Sequence, residues 1–514
     1  MSKTIIIIGA GLAGLSAALQ AAENGCNVKL VSSLPSERAQ SVMAEGGINA
    51  ALNTKDENDS PEEHFTDTIK AACGLADPNA VWGMTQAAPE LVHWLLKLGV
   101  KFNMSGYDDV DLRNFGGQKK KRTAFAQSDT GKQIMTAMID AVRRKEASGM
   151  VERFSHHSFL TLRLCDNICC GCVIRDEYSQ ETVELPGDAV IVATGGMHGL
   201  FGNTTGSLSN TGEVTAELFR LGVPLANGEM IQYHPTTVKC GGKRMLISEA
   251  ARGEGGRLFA MKDGKQWYFM EEKYPELGNL MPRDITAREI WKVSHESEVF
   301  LDMTEISDEI ISNKLSGLAD DCMTYLHKDI RKEPVSVLPG IHYFMGGILV
   351  DEQHRTSIQN LYAAGECCAQ YHGANRLGGN SLLGALYGGR VAAKSACEQA
   401  DVVDLSCATQ IDFPPASQIS EIKQLNKVMQ ETMGVVRNEN TLLNGIQTVQ
   451  ALTGNLPLLG MAVLKSALAR KESRGAHWRE DYPKSNDDDY LKTTVARFDG
   501  KQIQISFVPV PERR

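Results

Sequence analysis

Residues 3–8, KTIIII, form a short run rich in β-branched apolar side chains that leads directly into Gly9-Ala10-Gly11-Leu12-Ala13-Gly14. Residues 15–22 then repeat apolar side chains at helical spacing. A strand apolar on both faces belongs in a parallel sheet covered on both sides, and a GxGxxG turn between strand and helix is the opening of a dinucleotide-binding unit. In that frame Gly9 makes the tight turn, with Ala10 beside it, Gly11 lets a pyrophosphate approach the backbone, and Gly14 lets helix and strand pack closely. The phosphates then sit over the helix N-terminus. An acidic residue for a ribose hydroxyl is expected about 20 positions on, but the next apolar run, residues 27–31, ends in Ser32-Ser33, and Ser32 is the remaining donor. Residues 188–196, DAVIVATGG, are a second strand that ends in small residues, with Ala193, Thr194 and Gly195 at its tip. That spacing fits a two-part nucleotide domain better than a single βαβ unit.

The 514 residues exceed one simple core and imply two or three domains. A net charge of −10 argues against nucleic acid as a partner. The one basic run, residues 119–122, reads as solvated surface. The sequence contains nothing near the ~20 consecutive apolar residues of a membrane span, and the apolar run at residues 5–8 is too short for a signal peptide, so the chain reads as cytoplasmic. The twelve cysteines are expected as free thiols in that compartment. Cys165, Cys169, Cys170 and Cys172 contain one CxxC, without a second pair or a haem motif, and read as strand packing; His156 and His157 likewise read as structural. No metal site is expected.

Residues 38–50, RAQSVMAEGGINA, resemble the segment that reads SHTVAAQGG or SHTVAAEGG in the fumarate reductase and succinate dehydrogenase flavoproteins, where the histidine is bonded to FAD. Alignment on Glu45-Gly46-Gly47 puts Gln40 in the histidine's place, with Ser41 beside it. The resemblance therefore implies FAD held without a covalent bond, and a direction of reaction that favours reduction; Glu45 is also closer to the fumarate reductases. Residues 113–131, RNFGGQKKKRTAFAQSDTG, resemble RRFGGMKIERTWFAADKTG, in which the aromatic residue and glycines face a dicarboxylate; Phe115, Gly116 and Gly117 inherit that place. Gly47 lies outside that segment and is a separate expected substrate contact; L-aspartate oxidases carry a different text at 113–131, which counts against that relative. Residues 232–236 (QYHPT), 248–256 (SEAARGEGG), 282–284 (PRD), 342–343 (HY) and 372–376 (HGANR) continue the resemblance in order.

The chemistry accounts for the residue types. A dicarboxylate needs cations and donors at both ends, and a guanidinium matches a carboxylate in charge and shape. Arg376, His342, His234 and Ser248 are the expected anchors. By the resemblance, Arg283 gives the proton that accompanies hydride transfer, and Glu249 and Arg252 restore it. Arginine is a poor acid, so electrostatic stabilisation by Arg283 stays open as its role. Ser248 replaces a threonine, which leaves the pocket roomier by about one carbon, worth at most ~1–3 kcal/mol of discrimination.

The fold expected is α/β: a two-part Rossmann-like FAD-binding domain (residues 1–233 and 342–395), an inserted α+β capping domain (234–341), a C-terminal helical domain (396–470) and a closing segment (471–514). Residues 203–213, including Glu213, belong to the flavin side. Glu366 resembles the residue that holds the ribityl chain, and the helix opening at Ser381-Leu382 points its positive end at the flavin. Residues 419–435 read as an amphipathic helix after the break at Phe413-Pro414-Pro415; residues 469–483, ARKESRGAHWREDYP, resemble RRESRGAHQRLDY; residues 487–489 read as a charged loop. The chain spells out no cluster ligands, haem motif or NADH site, so an iron-sulfur protein or subunit is the expected electron donor, and partner subunits can bring the chain to the inner membrane face. Two other readings stay open: an enzyme like L-aspartate oxidase or acting on another unsaturated carboxylate, and a non-enzymatic flavin-binding protein.

Overall fold

The apolar run at residues 3–8 forms the strand Thr4–Ile8, the centre of a five-stranded sheet. A computed structural model of the chain describes residues 2–106, 109–401, 413 and 418–514. Ala189–Val192 and Leu361–Ala363 flank the central strand on one side, Asn27–Ser32 and Val151–Ser155 on the other, and all pairings are parallel. Strand side chains alternate between faces. Accordingly Ile5 and Ile7 pack into a helical layer and Ile6 and Ile8 into the opposite one.

The helical layer is built on Leu12–Glu23 and Asn380–Gln399, which approach closely because small residues meet: Ser16 Oγ donates to Leu386 O at 2.7 Å, and a Cβ on Gly389 would stand 2.3 Å from Ala13 O. The other face is covered by an antiparallel sheet of His157–Cys165, Ile168–Asp176 and Thr182–Pro186. The sheet thus joins strands from residues below 200 with one beyond 360, as a two-part domain requires.

Between those parts lies an α+β unit. The strands Lys265–Trp267, Arg257–Lys262, Val299–Asp302 and Val335–Ser336 form an antiparallel sheet backed by helices such as Arg283–Val293, around Leu258, Ile290 and Leu301. The chain enters and leaves through paired strands. Ile231–Cys240 and Leu338–Phe344 run antiparallel, with Ile231 opposite Phe344 and His234 opposite Gly340, so the positions 233/234 and 341/342 lie within a ribbon. The helices Ile419–Thr432, Glu439–Val449 and Asn455–Ala469 then pack around Leu425, Met429, Leu442 and Val463. The break at residues 414–415 lies outside the described residues. The last strands, Lys492–Phe498 and Ile503–Pro509, join a sheet with Leu225–Ala226, Gly347–Leu349 and Cys368–Ala369.

Four local expectations are corrected. The basic run is not wholly solvated: Lys119 and Lys121 are exposed, but Arg122 is 0% exposed, because the chain turns inward to the strand Thr123–Ala124. Its guanidinium pairs with Asp59 (3.1 and 2.8 Å) and Asp67 (2.8 Å). Residues 487–489 begin a one-turn helix, Asp487–Tyr490, capped by Asn486, where acidic side chains suit the positive helix end. Cys165, at the half-exposed end of its strand, is disulfide-bonded, whereas Cys169, Cys170 and Cys172 are buried free thiols in the neighbouring strand. The amphipathic helix ends at Thr432 rather than 435.

Removing Arg122 strands two buried carboxylates. Arg122→Met should lower unfolding stability by about 3–5 kcal/mol, read from the urea midpoint, and a loss below about 1 kcal/mol would contradict this.

Candidate active site

The glycine turn opens onto a single continuous cavity of about 590 Å³ that runs from the sheet to the capping unit. Its outer walls are the 9–13 turn, Ser32 and Ser33, residues 38–47, and Ala193, Thr194 and Gly195. The turn geometry is obligatory: Gly9 has φ +112°, and a Cβ there would stand 2.2 Å from Ala193 O. At Gly14 a Cβ would meet Gly9 O at 1.8 Å, while at Gly11 nothing lies closer than Ser41 Oγ at 3.6 Å, so the space beside Gly11 is free. Gly14 therefore serves packing and does not line the cavity. Ser41 Oγ accepts from Leu12 N at 3.2 Å and ties the 40s loop to the helix start; Gln40 lies in the same wall. Ser32 Oγ is buried without a protein partner, as a ribose-facing hydroxyl would be. Glu213, Glu366, Ser381 and Leu382 complete this side. Glu366 accepts from Phe344 N at 3.1 Å. These residues fit FAD: a backbone cradle for pyrophosphate, free hydroxyls and carboxylates along the wall, and a helix N-terminus at Asn380 aimed into the cavity's flank.

At the inner end Phe115, Gly46, Gly47, His234, Ser248, Glu249, Arg283, His342 and Arg376 come together. Arg283 opens the helix Arg283–Val293 and Glu249 the short helix Glu249–Gly253, which Ser248 caps by accepting from Ala250 N at 3.4 Å. Glu249 Oε2 lies 2.7 Å from Arg283 Nε and 2.6 Å from its NH2 nitrogen. Its Oε1 accepts from Gly116 N at 3.0 Å and lies 3.5 Å from Arg252. Arg252 is buried behind Glu249 and does not reach the cavity, so the three side chains form a row leading inward from Arg283. Burial works to raise the Glu249 carboxyl, yet Arg283 and Arg252 outweigh it and hold it below the usual carboxylate range.

The imidazoles of His234 and His342 stand 5.1 Å apart. Thr236 O lies 3.1 Å from His234 Nδ1 and Thr205 Oγ1 lies 2.8 Å from His342 Nδ1; His234 Nε2 has no protein partner. Burial, reinforced by Arg283, holds both rings well below the usual histidine range, so they are neutral at pH 7. Arg376 lies over the Tyr343 ring at 4.3 Å, with a buried Nε that meets no acceptor. Burial, then Arg283, brings it down to about 9, and it remains a cation. The loop that carries it is clamped from both sides, Ala374 N donating to Ala72 O and Ala476 N to Ala374 O, each at 2.9 Å. Glu45 sits beside Ser248; burial and then Asp321 push its carboxyl up to about 8.

Two further residues shape this end. Gln232 bridges the arginines: its Oε1 accepts from Arg283 at 3.1 Å and its Nε2 donates to Arg376 O and Asn375 Oδ1, both at 2.9 Å. It stands two residues before His234 in QYHPT, the only sequence signal for it. Arg113, the first residue of RNFGG, donates to the carbonyls of Gly46 (3.0 Å) and Glu45 (3.1 Å) and fixes the turn against Phe115. Among the described residues no cluster of three or more His, Cys, Asp or Glu is placed to hold a metal ion, and no helix is long and apolar enough to cross a membrane.

Comparison with known proteins agrees with this architecture. Residues 4–382 match the FAD binding domain family model, and residues 452–513 the fumarate reductase flavoprotein C-terminal model. The chain is 38% identical to the succinate dehydrogenase flavoprotein subunit of Bacillus subtilis, over 100% of this chain and 98% of that one. It is 32% identical to the 8-methylmenaquinol:fumarate reductase flavoprotein subunit of Wolinella succinogenes, over 100% and 92%. Among solved structures, E. coli quinol fumarate reductase superposes with a TM-score of 0.89 at 27% identity, covering 99% of this chain and 97% of that one. The chain belongs to the fumarate reductase and succinate dehydrogenase flavoprotein family and is an FAD-dependent oxidoreductase of that type.

Proposed function

We propose that this flavoprotein reduces fumarate to succinate with FAD held noncovalently and with electrons supplied by a partner protein. The observation that carries the reading is the buried row Arg283–Glu249–Arg252, whose Arg283 end shares the cavity with two neutral imidazoles and with Arg376, which among the described residues has no carboxylate in ion-pair contact. Arg376, His234, His342 and the Ser248 hydroxyl bind the two carboxylates, with Phe115 and Gly47 against the carbon chain. When bound, FAD supplies a hydride from N5. Arg283 delivers a proton to the other alkene carbon, so that the acid gains two electrons and two hydrogens. Glu249, held as a carboxylate by its two arginines, stores no proton at rest; it passes one from the Arg252 side to Arg283. Gln232 keeps Arg283 and the Arg376 loop in register during that transfer.

Gln40 supports dissociable FAD, because an amide cannot form the histidyl bond, and with Glu45 it supports the reductive direction. The relatives named above are flavoprotein subunits, which supports a partner that brings electrons. An iron-sulfur protein fits, with the chain on the cytoplasmic side and reaching a membrane only through other subunits. Ser248, with one methyl less than threonine, supports a second reading in which the substrate is another unsaturated acid.

Dithionite-reduced protein mixed anaerobically with fumarate should regain its oxidised flavin absorbance rapidly. Bleaching that depends on aspartate, without reoxidation by fumarate, would favour an amino-acid oxidase instead. Arg283→Lys should keep FAD and lose turnover by at least ~10²-fold in the same assay, the scale of one lost proton-transfer group, and near-normal turnover would remove Arg283 from its role. Acid precipitation should leave yellow FAD in the supernatant; colour retained in the pellet would refute the noncovalent link.

A further inference from the structure

The cavity that the two histidines line also carries a cation to which the reduction of a four-carbon acid gives no task. Arg244 lies in the strand Lys243–Leu246, opposite Lys239 of Ile231–Cys240, and lines the same cavity as His234, His342 and Arg283. Its side chain crosses the ribbon to the third strand. A Cβ on Gly340 would stand 2.5 Å from Arg244 Cδ and 3.1 Å from its Nε, so the absence of a side chain at 340 is what admits the arginine. Gly340 is directly opposite His234 in the ladder, and opposed residues of an antiparallel pair present side chains to the same face. Arg244 therefore lies on the face from which His234 meets His342. The backbone reinforces the placement: Arg244 N donates to Thr204 O at 3.2 Å, and the adjoining Thr205 holds His342.

The guanidinium of Arg244 donates one side-chain hydrogen bond, to Thr237 Oγ1 at 3.0 Å, and no carboxylate pairs with it among the described residues. The residue is half-buried. A cation partly withdrawn from water, with most of its donors unused, has its strongest available interaction with an anion. The two carboxylates of a four-carbon acid already have Arg376, the histidines and Ser248.

We propose that Arg244 forms an outer anion subsite next to His234, so that the site accepts an unsaturated tricarboxylic acid whose fumarate core carries an added carboxymethyl group. The roomier pocket beside Ser248 is consistent with that branch. The inference rests on the reading of the inner site as a dicarboxylate site, and the experiment separates the two.

Dissociation constants for fumarate and for trans-aconitate, which is fumarate with one alkene hydrogen replaced by a carboxymethyl group, are measured by calorimetry on the FAD-loaded full chain. The wild type should bind both. Arg244→Met should weaken trans-aconitate at least about tenfold more than fumarate, and Arg244→Lys should recover part of that difference. Gly340→Ala, whose Cβ pushes the Arg244 side chain aside, should show the same selective loss and serves if Arg244→Met does not fold. Wild type that binds fumarate but not trans-aconitate, or variants that weaken both acids equally, would overturn the subsite and leave the inner site standing. Wild type that binds neither would overturn both.

Discussion

The carboxylate of Glu249 holds together groups that would otherwise repel or drift. It binds Arg283 from one helix of the capping unit, Arg252 from the next turn of its own helix, and the backbone N–H of Gly116 from the sheet side of the molecule. Without it two buried guanidinium groups would face each other in a medium of low polarity, where like charges cost several kcal/mol. The bond to Gly116 also fixes the residue type there, because a Cβ on Gly116 would stand 2.6 Å from Glu249 Oε1. One carboxylate thus sets the separation between the capping unit and the Phe115 loop, and with it the width of the inner cavity.

Buried arginines elsewhere show how such charges are settled when they are structural. Arg122 is met by Asp59 and Asp67, and Arg470 by Glu229 and Glu472. Arg122–Asp59, Arg122–Asp67 and Arg470–Glu229 link distant parts of the chain, and none of these residues lines the cavity. Arg437 is a useful contrast: it is buried and, among the described residues, pairs with no carboxylate, but donates to the carbonyls of Gly434 and Glu229 and to His477. A missing carboxylate is therefore not enough to mark a binding residue. Arg376 differs because it also lines the cavity, with its guanidinium over the Tyr343 ring.

The glycine motif was legible because it is local: strand, turn and helix follow within twenty residues, and Gly14 answers to Gly9 O across that short stretch, although the contact that demands Gly9, Ala193 O, comes from far along the chain. The family motifs also marked most residues of the inner site by type. What could not be read is contact at long range. Arg122 looks like the end of a basic surface run until the chain brings Asp59 and Asp67, 63 and 55 residues earlier, against it. The role of Gln232 depends on Arg283 and Arg376, 51 and 144 residues away. The expected domain boundaries at 233/234 and 341/342 lie within the ribbon of Ile231–Cys240 and Leu338–Phe344, which carries His234 and His342.

Charge complementarity follows from the same arrangement. At the inner end three guanidinium groups, Arg283, Arg252 and Arg376, are set against the single carboxylate of Glu249. The histidines add nothing at pH 7 because burial and Arg283 keep them neutral, and Glu45, pushed up to about 8, stays protonated. Arg283, Arg252 and Glu249, which touch one another, carry one net positive charge, and Arg376 in the same cavity adds a second, the complement of a dicarboxylate. Neutral imidazoles offer hydrogen bonds without charge, and the arginines supply the positive potential of the cavity's inner end, a division of labour suited to an anion whose charge develops during reaction.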